Sequence, residues 1–310
     1  MRFDDILDAV GNTPLVGMPR LSPKPSVRLW GKLEGNNPTG SLKDRIAKKM
    51  VEAAEASGEL TPDRVLLEPT SGNTGISLAM VARRKGYRLA VVMPENASQE
   101  RVQLLELFGA QVVFSPADKG TNGSIEVARA MAEDPKYYMP FQYGNENNPL
   151  AHYEGTGEEI VRDLPGVTHF VAGLGTGGTL TGVGRRLKEH NPKVQIIAAE
   201  PELGELVYGL RSLEEGFIPP ILDESVLDRK FLVGSADALR ATRAVVEQEG
   251  IFCGISSGAV VHVGRRIAQT VDEGDIVCLL PDGGWKYLST QAWAPEIERA
   301  DKGVEETLWW

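Results

Sequence analysis

Lys43 stands directly behind a turn, Asn36-Asn37-Pro38-Thr39-Gly40, and in the first turn of a helix read from "LKDRIAKKMVEAAEAS" with Ser41 as N-cap. A cation at that end opposes the helix dipole by roughly 0.3–1 kcal/mol. A lysine so placed, with Arg45 nearby, has a depressed pKa and becomes a neutral amine readily; such an amine forms Schiff bases with carbonyls. The ordinary alternative is a solvated lysine on a lysine-rich helix, since Lys48 and Lys49 follow. Further along, "VAGLGTGGTLTG" passes from a strand through Gly173, Gly175, Gly177 and Gly178 into a helix. Backbone amides at such a site approach an anion closely, and the compact loop suits a single phosphate. The same residues match Gly-x-Gly-x-x-Gly, with Glu200 ending the next strand, so a nicotinamide-dependent oxidoreductase is the alternative of a different class. "CGISSGAVVHVGRR" carries Gly-x-Ser-x-Gly around Ser256, but the only histidine downstream is His262, inside the following helix. A hydrolase triad in the order Ser, Asp or Glu, His cannot be assembled from it. "LLEPTSGNTGISLA" gathers Thr70, Ser71, Asn73 and Thr74 where a strand gives way to a helix, a loop that can hold a carboxylate.

These loops need a scaffold that brings strand ends together. From residue 60 the pattern alternates short apolar strands ("RVLLEPT", "YRLAVVMP", "AQVVFSP", "YYMPFQYG") with helices that end on Gly86 and Gly109. After "NNPLAHYEGTGEEIVRDL", read as helix, a second series begins with "THFVAG" and closes with "DIVCLLP". The fold class is α/β: two domains, each a mostly parallel twisted sheet flanked by helices, divided near residue 147 into 1–147 and 148–310. Ligands in such sheets bind beyond the carboxyl ends of the strands, where the chain carries "EPTSGNTG", "VAGLGTGGT" and "LLPDGGWKY".

The 310 residues, 42% hydrophobic, suffice for two cores, and the formal charge of −10 disfavours nucleic acid as a partner. No apolar run approaches the roughly 18–20 residues of a membrane helix, and the opening "MRFDDILDAVGNTP" has no signal core, so a cytoplasmic protein without a membrane partner is expected. Cys253 and Cys278 sit among apolar neighbours and read as core residues; the four histidines show no ligand spacing, so no metal is expected.

Four motifs in one order, "NPTGSLKDR", "EPTSGNTGISLA", "GLGTGGTLTG" and "GISSGA", resemble the cysteine synthase family of pyridoxal-phosphate (PLP) enzymes, of the tryptophan synthase β-like fold type II. The likeness runs from "GNTPLV" at residue 11 to "GWKYLST" near 290. "YGLRSLEEGFIP" and the terminal "TLWW" are similar to the actinobacterial cysteine synthase B type, which includes O-phosphoserine sulfhydrylases. The resemblance implies that Lys43 forms the Schiff base with PLP and later acts as general base. It implies that Asn73 bonds the ring oxygen, that Gly175, Thr176, Gly177, Gly178 and Thr179 bind the phosphate, and that Ser256 faces the pyridine nitrogen. Thr70, Ser71, Asn73, Thr74 and Gln142 would hold the substrate carboxylate. Arg211 would face the leaving group and favour O-phosphoserine over O-acetylserine; its alternative is a surface pair with Glu214 or Glu215. The implied reaction is β-replacement through an aminoacrylate, giving cysteine with sulfide, thiosulfate or a small carrier protein's thiocarboxylate as sulfur donor. Cystathionine β-synthase-type chemistry is the neighbouring alternative. A homodimer is implied, as is the crossing of residues before about 40 to the second domain. The terminal "ETLWW" is expected to be mobile and to fold over the mouth of the site.

Overall fold

The structure is a computed structural model, and it describes residues 2–70, 72–97, 99–288 and 291–293. The chain first forms β1 (Leu15–Gly17), β2 (Val27–Leu33) and helix α1 (Lys43–Ser57). An alternating series follows: β3 (Val65–Pro69), α2 (Asn73–Lys85), β4 (Arg88–Pro94), α3 (Gln99–Leu107), β5 (Gln111–Ser115), α4 (Gly120–Met131) and β6 (Tyr137–Tyr138). Helix α5 (Asn147–Ala151), a π-helical stretch over His152–Gly157 and α6 (Glu158–Asp163) lead to the second series. That series is β7 (His169–Gly173), α7 (Gly178–His190), β8 (Gln195–Pro201), β9 (Arg229–Val233), α8 (Ser235–Glu249), α9 (Ile255–Thr270) and β10 (Gly274–Leu280).

Among the described residues the strands form two sheets, ordered β5-β4-β3-β6 and β1-β2-β10-β7-β8-β9. The first is parallel throughout, and in the second only β1 runs antiparallel to its neighbour. β2 lies parallel to β10 from Val27 opposite Gly274 to Leu33 opposite Leu280, so the N-terminal strands complete the sheet of the C-terminal half. The central strands are buried on both faces, as helices on both sides require. In β10, Ile276, Cys278 and Leu280 pack into the core beneath α8 and α9, while Val277 and Leu279 pack toward α7. In the smaller sheet Leu66, Val91 and Met93 face one core, and Leu67, Ala90 and Val92 the other. A two-residue side-chain period with both sets apolar is what turns "LAVVM" and "IVCLL" into continuous apolar runs.

Two elements depart from the expectation. The strand expected over "YYMPFQYG" stops after Tyr138. Pro140 has no N–H to give to a sheet ladder, and Phe141 turns into the left-handed region at φ 55°, unusual for a residue with a side chain. The helix expected over 147–164 runs without a break to Asp163, but it widens to a π-helical turn over His152–Gly157, which packs against α7.

Candidate active site

Three strand ends and one helix start converge on one cavity system. β3 leads into Thr70–Thr74, β7 into Leu174–Thr179, β10 into Pro281–Tyr287, and α1 begins with Lys43. One lobe, of about 120 Å³, is walled by Lys43, Thr70, Asn73, Thr74, Gln142 and Arg211, among others. The adjoining lobe, of about 60 Å³, shares Lys43 and Asn73 and adds the glycine loop and Ser256.

Lys43 is the first residue of α1, and the cap residue before it is Leu42, not Ser41. Ser41 still serves the helix end, because its Oγ accepts the Lys43 backbone N–H at 3.3 Å. Burial pushes the Lys43 ammonium down to about 8, while the negative charge of Asp282 pulls the other way. Arg45 has no part in this, contrary to the expectation. Its guanidinium is buried between Glu34 (Nε to Oε2, 2.7 Å) and Glu159 (Nη1 to Oε1, 2.6 Å), and Lys32 completes the cluster by donating to Glu159 at 2.6 Å. Its charge is spent in tying β2, α1 and α6 together.

The loop expected to hold a carboxylate begins where β3 ends. Thr74 Oγ1 donates to Gln142 Oε1 at 2.7 Å, which occupies the amide oxygen of Gln142 and leaves its Nε2 group as donor to the cavity. The Gln142 backbone is fixed from β3: Glu68 Oε1 accepts the Gln142 N–H at 3.0 Å and Oε2 the Phe141 N–H at 2.9 Å. Asn73 donates to Asp282 Oδ2 at 2.8 Å and accepts from Lys286 Nζ at 2.6 Å. Thr70 is buried and lines the same lobe. Ser71 lies outside the described residues, as does the terminal "ETLWW".

The glycine loop divides between packing and presentation. Gly173 closes β7, and a Cβ there would lie 2.3 Å from the Leu210 side chain, so this glycine serves close packing rather than an anion. Gly177 holds φ +83°, the left-handed conformation that lets α7 start immediately afterwards. The backbone N–H groups of Gly175, Thr176 and Gly177 have no acceptor among the described residues. They stand beside the positive end of a 13-residue helix, together with the hydroxyls of Thr176 and Thr179. This donor set suits a phosphate.

Ser256 is buried in the first turn of α9 and faces the lobe that holds Lys43. Arg211 is a buried residue rather than a surface one. It is 7% exposed, with its guanidinium 5.3 Å from the Tyr143 ring centroid and 4.8 Å from that of Phe217, a stacked cation–π arrangement. Its backbone N–H donates to Leu174 O at 2.8 Å, which ties it to the start of the glycine loop. Cys253 and Cys278 are buried thiols pushed up to about 12 by desolvation, inert as core residues.

Several wall residues carried no assignment in the sequence. Asp282 and Tyr287 come from "LLPDGGWKY", a rich turn beyond a strand end that was visible without a role, and Lys286 of the same turn reaches the site through Asn73. Arg101, from α3, brings a further cation to the larger lobe. Glu68 was legible only as a lone charge inside an apolar strand.

The family model of pyridoxal-phosphate-dependent enzymes matches residues 6–282. The chain belongs to the pyridoxal-phosphate-dependent enzyme family. It falls among the cysteine synthases of that family, and its cofactor is PLP. It is 43% identical to cysteine synthase B of Salmonella typhimurium over 95% of this chain and 98% of that one. To cysteine synthase B of Escherichia coli it is 41% identical over the same shares. Among solved structures it is similar to a cysteine synthase of Entamoeba histolytica (34% identity, TM-score 0.90, 98% of this chain and 96% of that one). It is equally similar in fold to an O-ureido-L-serine synthase (39% identity, TM-score 0.90, 95% and 96% covered). The residues present fit the cofactor: a lysine amine with a lowered pKa, unpaired backbone N–H groups at a helix start and a neutral hydroxyl meet in one cavity. The nicotinamide alternative falls with this membership, and with the packing role of Gly173. Among the described residues no helix is long and apolar enough to cross a membrane.

Proposed function

We propose that the chain makes L-cysteine by replacing the β-substituent of an activated serine with sulfur, and that it prefers O-phosphoserine to O-acetylserine. Membership among the cysteine synthases supports the reaction class, and the buried guanidinium of Arg211 in the lobe beside Lys43 carries the substrate preference. Bound PLP supplies a carbonyl for amino groups and a conjugated ring that makes Cα acidic and lets a β-substituent leave.

The chain's own residues do the rest. Lys43 Nζ is the group that would hold the cofactor and then, as a neutral amine, take the proton from Cα; a value pushed down to about 8 makes that neutral form far more accessible near neutral pH than in an ordinary lysine. Gly175, Thr176, Gly177, Gly178 and Thr179 would hold the phosphate, and Asn73 would bond the ring oxygen. Ser256 would meet the pyridine nitrogen with a hydroxyl rather than a charge, which would leave the ring a modest electron sink. Thr70, Thr74 and the Nε2 group of Gln142, with Ser71, orient the substrate carboxylate. Arg211 receives the leaving phosphate with a planar fork held in place by two aromatic rings. The incoming sulfur is sulfide, thiosulfate or the thiocarboxylate of a small carrier protein, and the assembly is a homodimer.

Arg211→Ala tests the preference. It is expected to lower kcat/KM for O-phosphoserine by roughly 30-fold or more, since a phosphate of about two negative charges loses a charge-assisted partner. O-acetylserine, with a neutral leaving group, is expected to change only a few-fold. Equal losses on both substrates, or none on either, would remove Arg211 from the leaving-group site.

A further inference from the structure

The phosphate loop has a neighbour that the mechanism above does not use. His152 is wholly buried at the start of the π-helical stretch, and both of its ring nitrogens meet hydroxyls: Nε2 lies 3.2 Å from Thr179 Oγ1 and Nδ1 lies 3.0 Å from Thr156 Oγ1. The two elements are pressed together at this point. A Cβ on Gly182 of α7 would lie 2.9 Å from His152 Cβ and 2.1 Å from the Pro149 carbonyl oxygen, so the glycine lets the imidazole segment close on the helix that presents Thr179. π-helical insertions of this kind occur often at functional sites.

We propose that His152 is a positioning residue for the cofactor phosphate: its neutral Nε2–H tautomer donates to Thr179 Oγ1 and so directs the Thr179 hydroxyl proton to the phosphate.

A neutral imidazole has one donor nitrogen and one acceptor nitrogen, and each of these two hydroxyls can play either part. The phosphate decides between the tautomers. It is an acceptor with about two negative charges, so a hydroxyl facing it must donate. A hydroxyl has one proton. If Thr179 gave that proton to Nε2, it would turn only lone pairs toward the phosphate oxygens, a repulsive contact in a desolvated site. If Nε2–H donates to Thr179 instead, the proton is free for the phosphate, and Thr156 supplies its own proton to Nδ1. Burial, with the nearby charges of Arg45 and Lys43, holds the imidazolium form well below the usual histidine range despite the opposing charge of Glu159, so the ring is neutral. The effect is confined to orientation: His152 touches a phosphate ligand and not the reacting atoms.

The inference rests on the phosphate cradle proposed above, and the two can fail separately. Long-range 15N NMR of the holoenzyme should place the His152 proton on Nε2. PLP retention on dilution and the 31P shift of the bound phosphate should then be compared for Thr179→Val, His152→Ala and His152→Gln. Thr179→Val and His152→Ala should each weaken retention about tenfold and move the 31P signal, as expected for loss of a hydrogen bond to a charged group. His152→Gln, whose amide N–H can replace Nε2–H, should restore most of the retention. Wild-type retention in Thr179→Val would overturn the cradle and the inference with it. Weakened retention in Thr179→Val but not in His152→Ala, or a proton on Nδ1 in the wild type, would leave the cradle standing and overturn the role of His152.

Discussion

The carboxylate of Glu68 accepts the backbone N–H of Gln142 at 3.0 Å from the end of β3, and its second oxygen accepts the N–H of Phe141, whose φ of 55° is left-handed. One buried side chain thus fixes a turn that its own sequence disfavours, and that turn aims the Gln142 amide. Glutamine at position 68 has a single acceptor oxygen, so one of the two N–H groups would face an NH2 group. Glu68→Gln is expected to raise KM for the amino-acid substrate about tenfold, with kcat changed by only a few-fold, in steady-state kinetics.

Glu68 also gives the folded state a pH dependence. Burial raises its carboxyl from 4.5 to about 7, against the hydrogen bonds from Gln142 and Phe141. Between those values the folded chain holds a proton that the unfolded chain has lost. The stability contribution is complete below about 4.5 and declines as pH rises to about 7, by roughly 3 kcal/mol. Urea unfolding across this window should show the slope in the wild type and its loss in Glu68→Gln.

Glu159 behaves in the opposite sense. Burial opposes its ionisation, but the hydrogen bonds and charge of Arg45, joined by Lys32, overcome this and hold its carboxyl at about 2 instead of 4.5. Its stabilisation is complete above about 4.5 and is lost as pH falls toward 2. Glu159→Gln leaves Lys32 and Arg45 short of a buried counter-charge and should cost about 3–5 kcal/mol in urea unfolding at neutral pH.

The depressed Lys43 amine predicts how the apoprotein takes up PLP. The nucleophile is the neutral amine, so the loading rate should climb with pH to a midpoint near 8 and then level, well short of the 10.5 of an ordinary lysine. Lys43→Ala should lose the visible absorbance of the lysine-bound cofactor and essentially all turnover. Near-normal turnover of that variant without added amine would contradict the assignment.

Gly178 tests the link between the proposed cofactor and substrate sites. A Cβ there would lie 2.0 Å from Asn148 Oδ1, and Asn148 Nδ2 donates both to the Gln142 carbonyl at 2.8 Å and to Thr176 Oγ1 at 3.1 Å. Gly178→Ala must displace Asn148 and thereby both loops. PLP retention and substrate KM are expected to worsen together, each by about tenfold or more. A change in one alone would show that Asn148 does not couple them.

Much of this was local and therefore legible in the amino-acid sequence. The two-residue and helical periods, the glycine stops and the strand-to-helix loops are properties of a few consecutive residues, and the strands and helices of the fold follow most of them. A lysine opposing a helix dipole and a glycine loop opening a helix are also local, so the lysine and the loop stood out before any fold was known. What the tertiary structure decided depends on partners far away in the chain. Arg45 looked like a neighbour of Lys43 by spacing, yet helical geometry turns it toward Glu34 and Glu159, which are 11 and 114 residues distant. The strand read over "YYMPFQYG" failed because Glu68, some 73 residues earlier, pins Phe141 in a turn. Arg211 could be a solvated pair or a buried fork on sequence grounds; only the packing of Tyr143 and Phe217 around it made it the latter. His152 had no motif at all, because its meaning lies in the tautomer that Thr179 and Thr156 leave to it, and a tautomer is set by three-dimensional neighbours rather than by spacing.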